Sequence, residues 1–268
     1  MKSRITRREF LKRSVTVGAL AWTAPMIADS RASTFHALAL PRIRPIPLMR
    51  FGGSSLGSSA DLAVYVWYIE GTNNRIIVDA GMDETAGWGG SKLSSLDDGL
   101  ARVGSKPEDV DMVIFTHLHT DHTHLMKRYT NARLIVQSTE LGHAPQALDF
   151  ETISGDQQID DNVRVLLTPG HTPGGQSVLV ETAAGKAIIT GFCCTMEHFG
   201  PVITPPPIFT NRDQLMDSMR RVKETADILL PIHDYSFADV EAIPAESATA
   251  LDLGRASATL WGRLKGGL

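Results

Sequence analysis

Cysteine is almost missing from this chain of 268 residues: there are two, Cys193 and Cys194, and they are adjacent. Neighbours cannot close a loop, so a framework of loop-closing disulfides is excluded, and stability has to come from other sources, a packed core first. Repeats and low-complexity segments are also lacking. Long apolar runs are scarce; the mildly apolar Ser14–Ala28 is short for a membrane span and contains Pro25. It follows Arg7-Arg8-Glu9-Phe10-Leu11-Lys12, a twin-arginine export pattern, and precedes small residues suited to cleavage near Ser30 or Ala32. Residues 1–32 are therefore expected to be a leader, with no stable membrane anchor once it is removed, and residues 33–268 one exported domain, periplasmic or extracellular. A membrane anchor or basic amphipathic helix is the alternative. Positive charge is scarce beyond the leader. Of 26 basic and 30 acidic residues, the leader holds seven and two, leaving 19 and 28 and a net of −9. A surface that acidic repels polyanions, which argues against nucleic acid as a partner. Hydrophobic content of 43% and charged content of 21% place the rest among ordinary soluble globular proteins.

What is abundant is histidine in one place. Thr116-His117-Leu118-His119-Thr120-Asp121-His122 puts four metal-competent side chains within six residues, directly after the apolar run Met112-Val113-Ile114-Phe115. That run is short and bounded by turn residues, so it reads as a buried strand whose end carries the histidines. His117 and His119 lean to one side of extended backbone; Asp121 and His122 follow a turn and can face a second centre. Imidazole with carboxylate suits zinc, iron, manganese or cobalt. The alternative is a polar loop whose histidines cap strand ends.

The remaining chain predicts alternating strands and helices. Residues 33–60, with Pro41, Pro45 and Pro47 and then Gly52–Ser59, read as an extended edge leading into a mobile loop. Ala63–Ile69 and Arg75–Val78 form a hairpin ending at Asp79, which either orients a ligand histidine or caps its loop. A helix from Ser95 to Val103 is capped by Ser95 and stopped by Gly104. Arg133–Gln137 is a strand, and Thr139–Leu148 reads as a helix interrupted by Pro145. Val163–Leu167 runs into Pro169-Gly170-His171; Ser177–Glu181 and Ala187–Thr190 make a second hairpin. A helix spans Asn211–Ala226, and the strand Ile228–Ile232 ends at His233-Asp234. The tail from Ala245 reads as an amphipathic helix that packs on the body or makes a homodimer contact. Candidate ligands thus fall repeatedly just after strand ends.

On these residues the chain resembles the metallo-β-lactamase superfamily, and within it the N-acyl-homoserine lactonases. The resemblance covers nearly all of 33–268. It rests on the His117–His122 motif, Pro169-Gly170-His171-Thr172-Pro173-Gly174-Gly175-Gln176-Ser177 and His233-Asp234, with Leu100-Ala101-Arg102-Val103-Gly104 and Ile135-Val136-Gln137-Ser138-Thr139-Glu140 as softer flanks. It implies an α/β fold, a four-layer αβ/βα sandwich holding one or two zinc ions. His117, His119 and His171 would bind the first, and Asp121, His122 and His233 the second. The family's bridging Asp is missing, its place reading Gly191-Phe192-Cys193-Cys194. Either cysteine could bridge, Glu197 or His198 could reach in, or the second site is weak; small apolar packing of the cysteines, or a strained vicinal disulfide, are further readings. The family's tyrosine near the substrate carbonyl is missing too, with Thr195 the nearest hydroxyl. His124 is an extra imidazole beside the motif; His36 and His143 read as ordinary.

The resemblance implies attack by metal-activated hydroxide on the carbonyl of a small lactone, with Asp121 shuttling the proton to the departing ring oxygen. The Leu48–Leu56 loop and the Phe199–Phe209 segment would wall an acyl groove. Another lactone, a thioester or a sulfate ester is the alternative substrate, and a metal-binding protein without turnover is the alternative class.

Overall fold

From Leu62 to Ile69 every residue is buried, so this strand is covered on both faces. Its alternation shows by what. Ala63, Tyr65, Trp67 and Ile69 enter one apolar cluster, while Val64, Val66 and Tyr68 enter another, as a period of two requires. The computed structural model describes residues 40–143 and 149–244. The leader, His36, the tail from Ala245 and residues 144–148 lie outside the described residues.

In chain order the elements are β1 (Arg42–Phe51), β2 (Leu62–Glu70), β3 (Ile76–Val78), β4 (Ser91–Lys92), α1 (Leu96–Arg102), β5 (Met112–Ile114), the single turn α2 (Thr120–Thr123), β6 (Arg133–Gln137), β7 (Phe150–Ile153), β8 (Gln157–Asp160), β9 (Val163–Leu167), β10 (Gln176–Thr182), β11 (Gly185–Ile189), α3 (Arg212–Thr225) and β12 (Ile228–Leu230). They form two mixed sheets, ordered β4-β1-β2-β3-β5-β6-β7 and β12-β11-β10-β9-β8. The inner face of the first sheet (Ile76, Val78, Ile114) packs on that of the second (Val163, Val178, Ile189). Leu96 and Leu100 of α1 cover the first sheet's outer face; Leu215, Met219 and Val222 of α3 cover the second's. The four layers are those of an αβ/βα sandwich.

Both expected helix caps are made: Ser95 accepts from Asp98 N at 3.1 Å and Asn211 from Gln214 N at 3.1 Å. Two segments differ from expectation. The proline-rich stretch is a ten-residue strand, β1, lying second from the sheet edge rather than at it. Pro45 and Pro47 are tolerated because β4 pairs only with Met49 and Arg50, which leaves the proline side of β1 without a partner there. The loop after it folds into a 3-10 turn, Gly53–Leu56, and Glu197 accepts from Ser58 Oγ at 3.1 Å and Ser59 N at 2.9 Å. In place of the first part of the Thr139–Leu148 helix stand 3-10 turns over Ser138–His143. Glu140 there is fully buried and accepts from Gly174 N at 2.6 Å, so the segment is bent to serve a tertiary contact.

Gly170 has φ +124°, and a Cβ on it would lie 2.1 Å from Leu215 N. The turn carrying His171 therefore rests directly on the backbone of α3. Gly170→Ala is expected to lower stability by about 2–4 kcal/mol, strain in φ adding to overpacking. The check is the urea midpoint at unchanged m-value.

Candidate metal centre

β5 leaves the sheet at Phe115, and the chain stays extended through His119 (φ −69°, ψ 156°) before turning into α2. This places His117 and His119 on one side, as expected, and Asp121 and His122 beyond the turn. The ends of β9 and β12 deliver His171 and His233, and the end of β11 delivers the cysteines. The side chains converge into two groups. His117 Nε2, His119 Nδ1 and His171 Nε2 lie 3.1, 3.1 and 3.2 Å apart. Asp121 Oδ2 lies 3.1 Å from His122 Nε2 and 3.2 Å from His233 Nε2. All of these side chains are buried except the half-buried His119.

The opposite ring nitrogens settle the tautomers. His171 Nδ1 donates to Ile208 O at 2.7 Å and His233 Nδ1 to Ala63 O at 3.0 Å. His122 Nδ1 donates to Asp79 Oδ2 at 2.7 Å. Thr116 Oγ1 gives its one proton to Asp79, 2.9 Å away, and so accepts from His117 Nδ1 at 3.1 Å. With the proton on Nδ1, each Nε2 presents a lone pair to the centre. The lone pairs of His117 and His171 then face each other at 3.1 Å, which is repulsive unless a cation lies between them. His122 Nε2 is buried without a hydrogen bond, although Asp121 Oδ2 is close: in the neutral Nδ1 tautomer that a metal ligand needs, neither atom has a proton for the other. Nitrogens spaced this evenly can all reach a single zinc at about 2.0–2.1 Å. The residues present fit a metal.

Charges in the pocket say the same. Burial opposes ionisation of Asp121, yet His122 and His233 hold its carboxyl well below the usual range. Burial likewise opposes a charge on His122, but Asp121 and Asp79 outweigh it and raise its pKa well above the ordinary value. His233, despite its burial, is raised to about 10, chiefly by Cys193 and then by Asp121. Burial lowers His117, with His122 and His171 adding to the effect. The Asp121 side of the pocket thus demands positive charge, and protons and metal compete for the nitrogens of His122 and His233.

Asp79 does both things open to it. It caps the strand end by accepting from Thr116 N at 2.7 Å, and it orients His122. It sits at φ 60°, a conformation that costs a non-glycine residue free energy and that Asp tolerates better than most.

The two cysteines part company. Cys193 Sγ lies 3.2 Å from His171 Nε2. Burial works against its thiolate, but His171 and His233 prevail and hold the thiol well below its ordinary value. Cys194 is not brought to the centre: it packs among Phe192, Phe199 and Leu215, 3.2 Å from Thr190 Oγ1, and burial pushes its thiol up. Both thiols are free, so the vicinal disulfide does not form. Neither Glu197 nor His198 reaches in. Glu197 is spent on Ser58 and Ser59, and His198 Nδ1 accepts from Thr195 N at 3.0 Å in a capping box. That box also turns the Thr195 hydroxyl away, towards His198 and Ser58. His124 Nε2 lies 2.9 Å from Thr85 Oγ1 and 3.2 Å from Asp83 Oδ1, outside both groups. The side chain of His143 is outside the described set.

A cavity of about 460 Å³ opens onto the centre, with His119, Asp121, Cys193 and His233 as its floor. Phe51, Leu62, Val64, Trp88 and Ile208 form its walls. Of the expected wall segments, Phe51 with Gly52 and Ile208 contribute. Leu48 and Phe199 are instead buried in the outer clusters. Trp88, 56% exposed, is a wall the sequence does not announce; a lone tryptophan in a Gly-rich loop carries no pattern that points to a pocket.

Comparison with known proteins agrees with this geometry. Residues 60–191 match the metallo-beta-lactamase superfamily. An N-acyl homoserine lactonase from Bacillus sp is 32% identical over 197 residues, 63% of this chain and 78% of that one. A mutant of B. thuringiensis AiiA, solved with N-decanoyl-L-homoserine bound at the active site, superposes with a TM-score of 0.62 at 28% identity, covering 74% of this chain and 95% of the other. An N-acyl homoserine lactone hydrolase, solved with its product N-hexanoyl-L-homoserine at the catalytic metal center, gives 0.61 at 27% identity over 74% and 94%. The matched segment carries the His117–His122 motif and His171 on the strand ends of the sandwich, and with a lactonase relative matched over most of its length, the chain belongs to the metallo-β-lactamase superfamily.

Proposed function

We propose that this metallo-hydrolase opens the ring of N-acyl-homoserine lactones. The observation that carries the reading is the cavity: a floor of metal-competent groups under walls that are apolar throughout. A small neutral lactone needs no charged partner, and its acyl chain needs apolar walls. The lactonase names of the relatives support the same substrate class.

In this reading His117, His119 and His171 would hold one ion, and Asp121, His122 and His233 a second, zinc being the ion that imidazole and carboxylate suit well. Bound metal supplies activated water at neutral pH and polarises the carbonyl. The chain supplies the rest. Ile208 O, Ala63 O, Thr116 Oγ1 and Asp79 fix the ring orientations of His171, His233, His117 and His122. Asp121 turns Oδ2 to His122 and His233. Its carboxylate, held ionised, takes the proton of the attacking water at Oδ1 and gives it to the departing ring oxygen. The apolar walls exclude bulk water. Export of the folded protein belongs to the proposal as well, carried by the Arg7-Arg8 pattern.

The test is a pH-stat assay of the full chain, loaded with zinc, on short- and long-chain N-acyl-homoserine lactones. Acid release is expected with both, stopping on chelation and returning with zinc. No release from protein shown to carry metal would overturn the reading, and release from a thioester alone would move it to that substrate.

A further inference from the structure

Cys193 Sγ belongs to both donor groups. It lies within 4.8 Å of the donor atoms of His117, His119 and His171 on one side, and of Asp121, His122 and His233 on the other. The backbone explains why this residue reaches the centre and its neighbours do not. A Cβ at Gly191 would lie 1.8 Å from Gln176 O, so the chain leaving β11 is pinned against β10. From there Phe192 turns into the core beside Phe199, ring centroids 6.0 Å apart, and Cys193 emerges between the histidines. A thiol has one proton and donates weakly, so it cannot satisfy nitrogens on two sides. A thiolate sulfur has several lone pairs and is a good ligand for zinc-like ions.

Charge points the same way. With the imidazoles neutral, Asp121 is the one carboxylate in the two groups, and a single negative charge leaves two divalent ions poorly compensated in a buried pocket.

The geometry points to the Cys193 thiolate as the ligand shared by two metal ions, in the position where the resemblance leads one to expect a carboxylate. This rests on the metallo-hydrolase reading above. It implies a centre that favours thiophilic ions such as zinc and cobalt over manganese, which prefers oxygen donors.

The experiment uses the full chain loaded with cobalt(II), read by metal counting and by electronic absorption. Two cobalt ions per chain and an intense near-ultraviolet thiolate-to-cobalt charge-transfer band are expected. Cys194→Ala should keep the band. Cys193→Asp should keep both ions and lose the band, because a carboxylate bridges without sulfur. The wild-type spectrum decides even if a variant fails to fold: a single bound ion, or two ions without the band, overturns the inference, as does a band undiminished in Cys193→Asp. Turnover is not among these readouts. Protein that shows the band yet opens no lactone would overturn the lactonase reading alone, and active protein without the band would overturn the thiolate alone.

Discussion

Asp121→Asn is expected to lower kcat for the proposed lactone opening by about 10²–10⁴-fold, the range that a positioned acid–base group contributes. The amide has nearly the shape of the carboxylate, so the packing around α2 survives and the unfolding midpoint in chelator should stay close to that of the parent. The amide cannot accept the proton of the attacking water. It also turns either an oxygen or an NH₂ group towards His122 and His233, where the parent has a charged Oδ2 3.1 and 3.2 Å away. Two effects are therefore superposed, loss of the proton carrier and a weaker second metal group. Assays at saturating zinc with metal counted separate them. A loss confined to kcat at full metal occupancy, with KM unchanged, reports the proton role, since the interaction removed is made in the transition state alone. Undiminished turnover would sink the assignment of Asp121.

The largest effect on stability is expected at Asp79, although that side chain touches no substrate. Its carboxylate is 1% exposed and accepts from three donors, Thr116 N, Thr116 Oγ1 and His122 Nδ1. Asp79→Ala leaves those donors buried without an acceptor and leaves His122 without its anion. Breaking a buried charged pair from one side costs about 3–5 kcal/mol, and an alanine at φ 60° adds roughly 1–2 kcal/mol of backbone strain. Asp79→Asn keeps a residue that tolerates this conformation and one acceptor oxygen, so its loss should be clearly smaller. Urea unfolding of the three proteins in chelator ranks them. In zinc the gap should widen, because removing the partner of a ligand histidine typically weakens metal binding by about 10–100-fold. Equal midpoints for Asp79→Ala and the parent would refute this account.

Much of the site was legible locally because its chemistry is local. His117, His119, Asp121 and His122 fall within six residues, and the β-branched run before them announces a strand end wherever the chain later places it. The same holds for Ser95 and Asn211, whose caps bond to backbone three residues away. The strands β7 and β8 carry no clear sequence signal because each is the edge strand of its sheet and buries few side chains; backbone pairing holds them, and backbone pairing leaves no trace in residue type.

Sequence alone thus determined the fold class, the order of most elements and six candidate ligands. Tertiary structure alone decided which of two adjacent cysteines faces the centre, that Glu197 and His198 turn elsewhere, that Asp79 both caps its strand and holds His122, and that Trp88 walls the cavity. The reason lies in the two kinds of information. Ligand chemistry and periodicity are properties of a residue and its near neighbours. Direction at a strand exit changes face from one residue to the next, so it depends on where the chain is pinned, here by Gln176 O against Gly191, 15 positions away along the chain and in contact only once the sheet has formed.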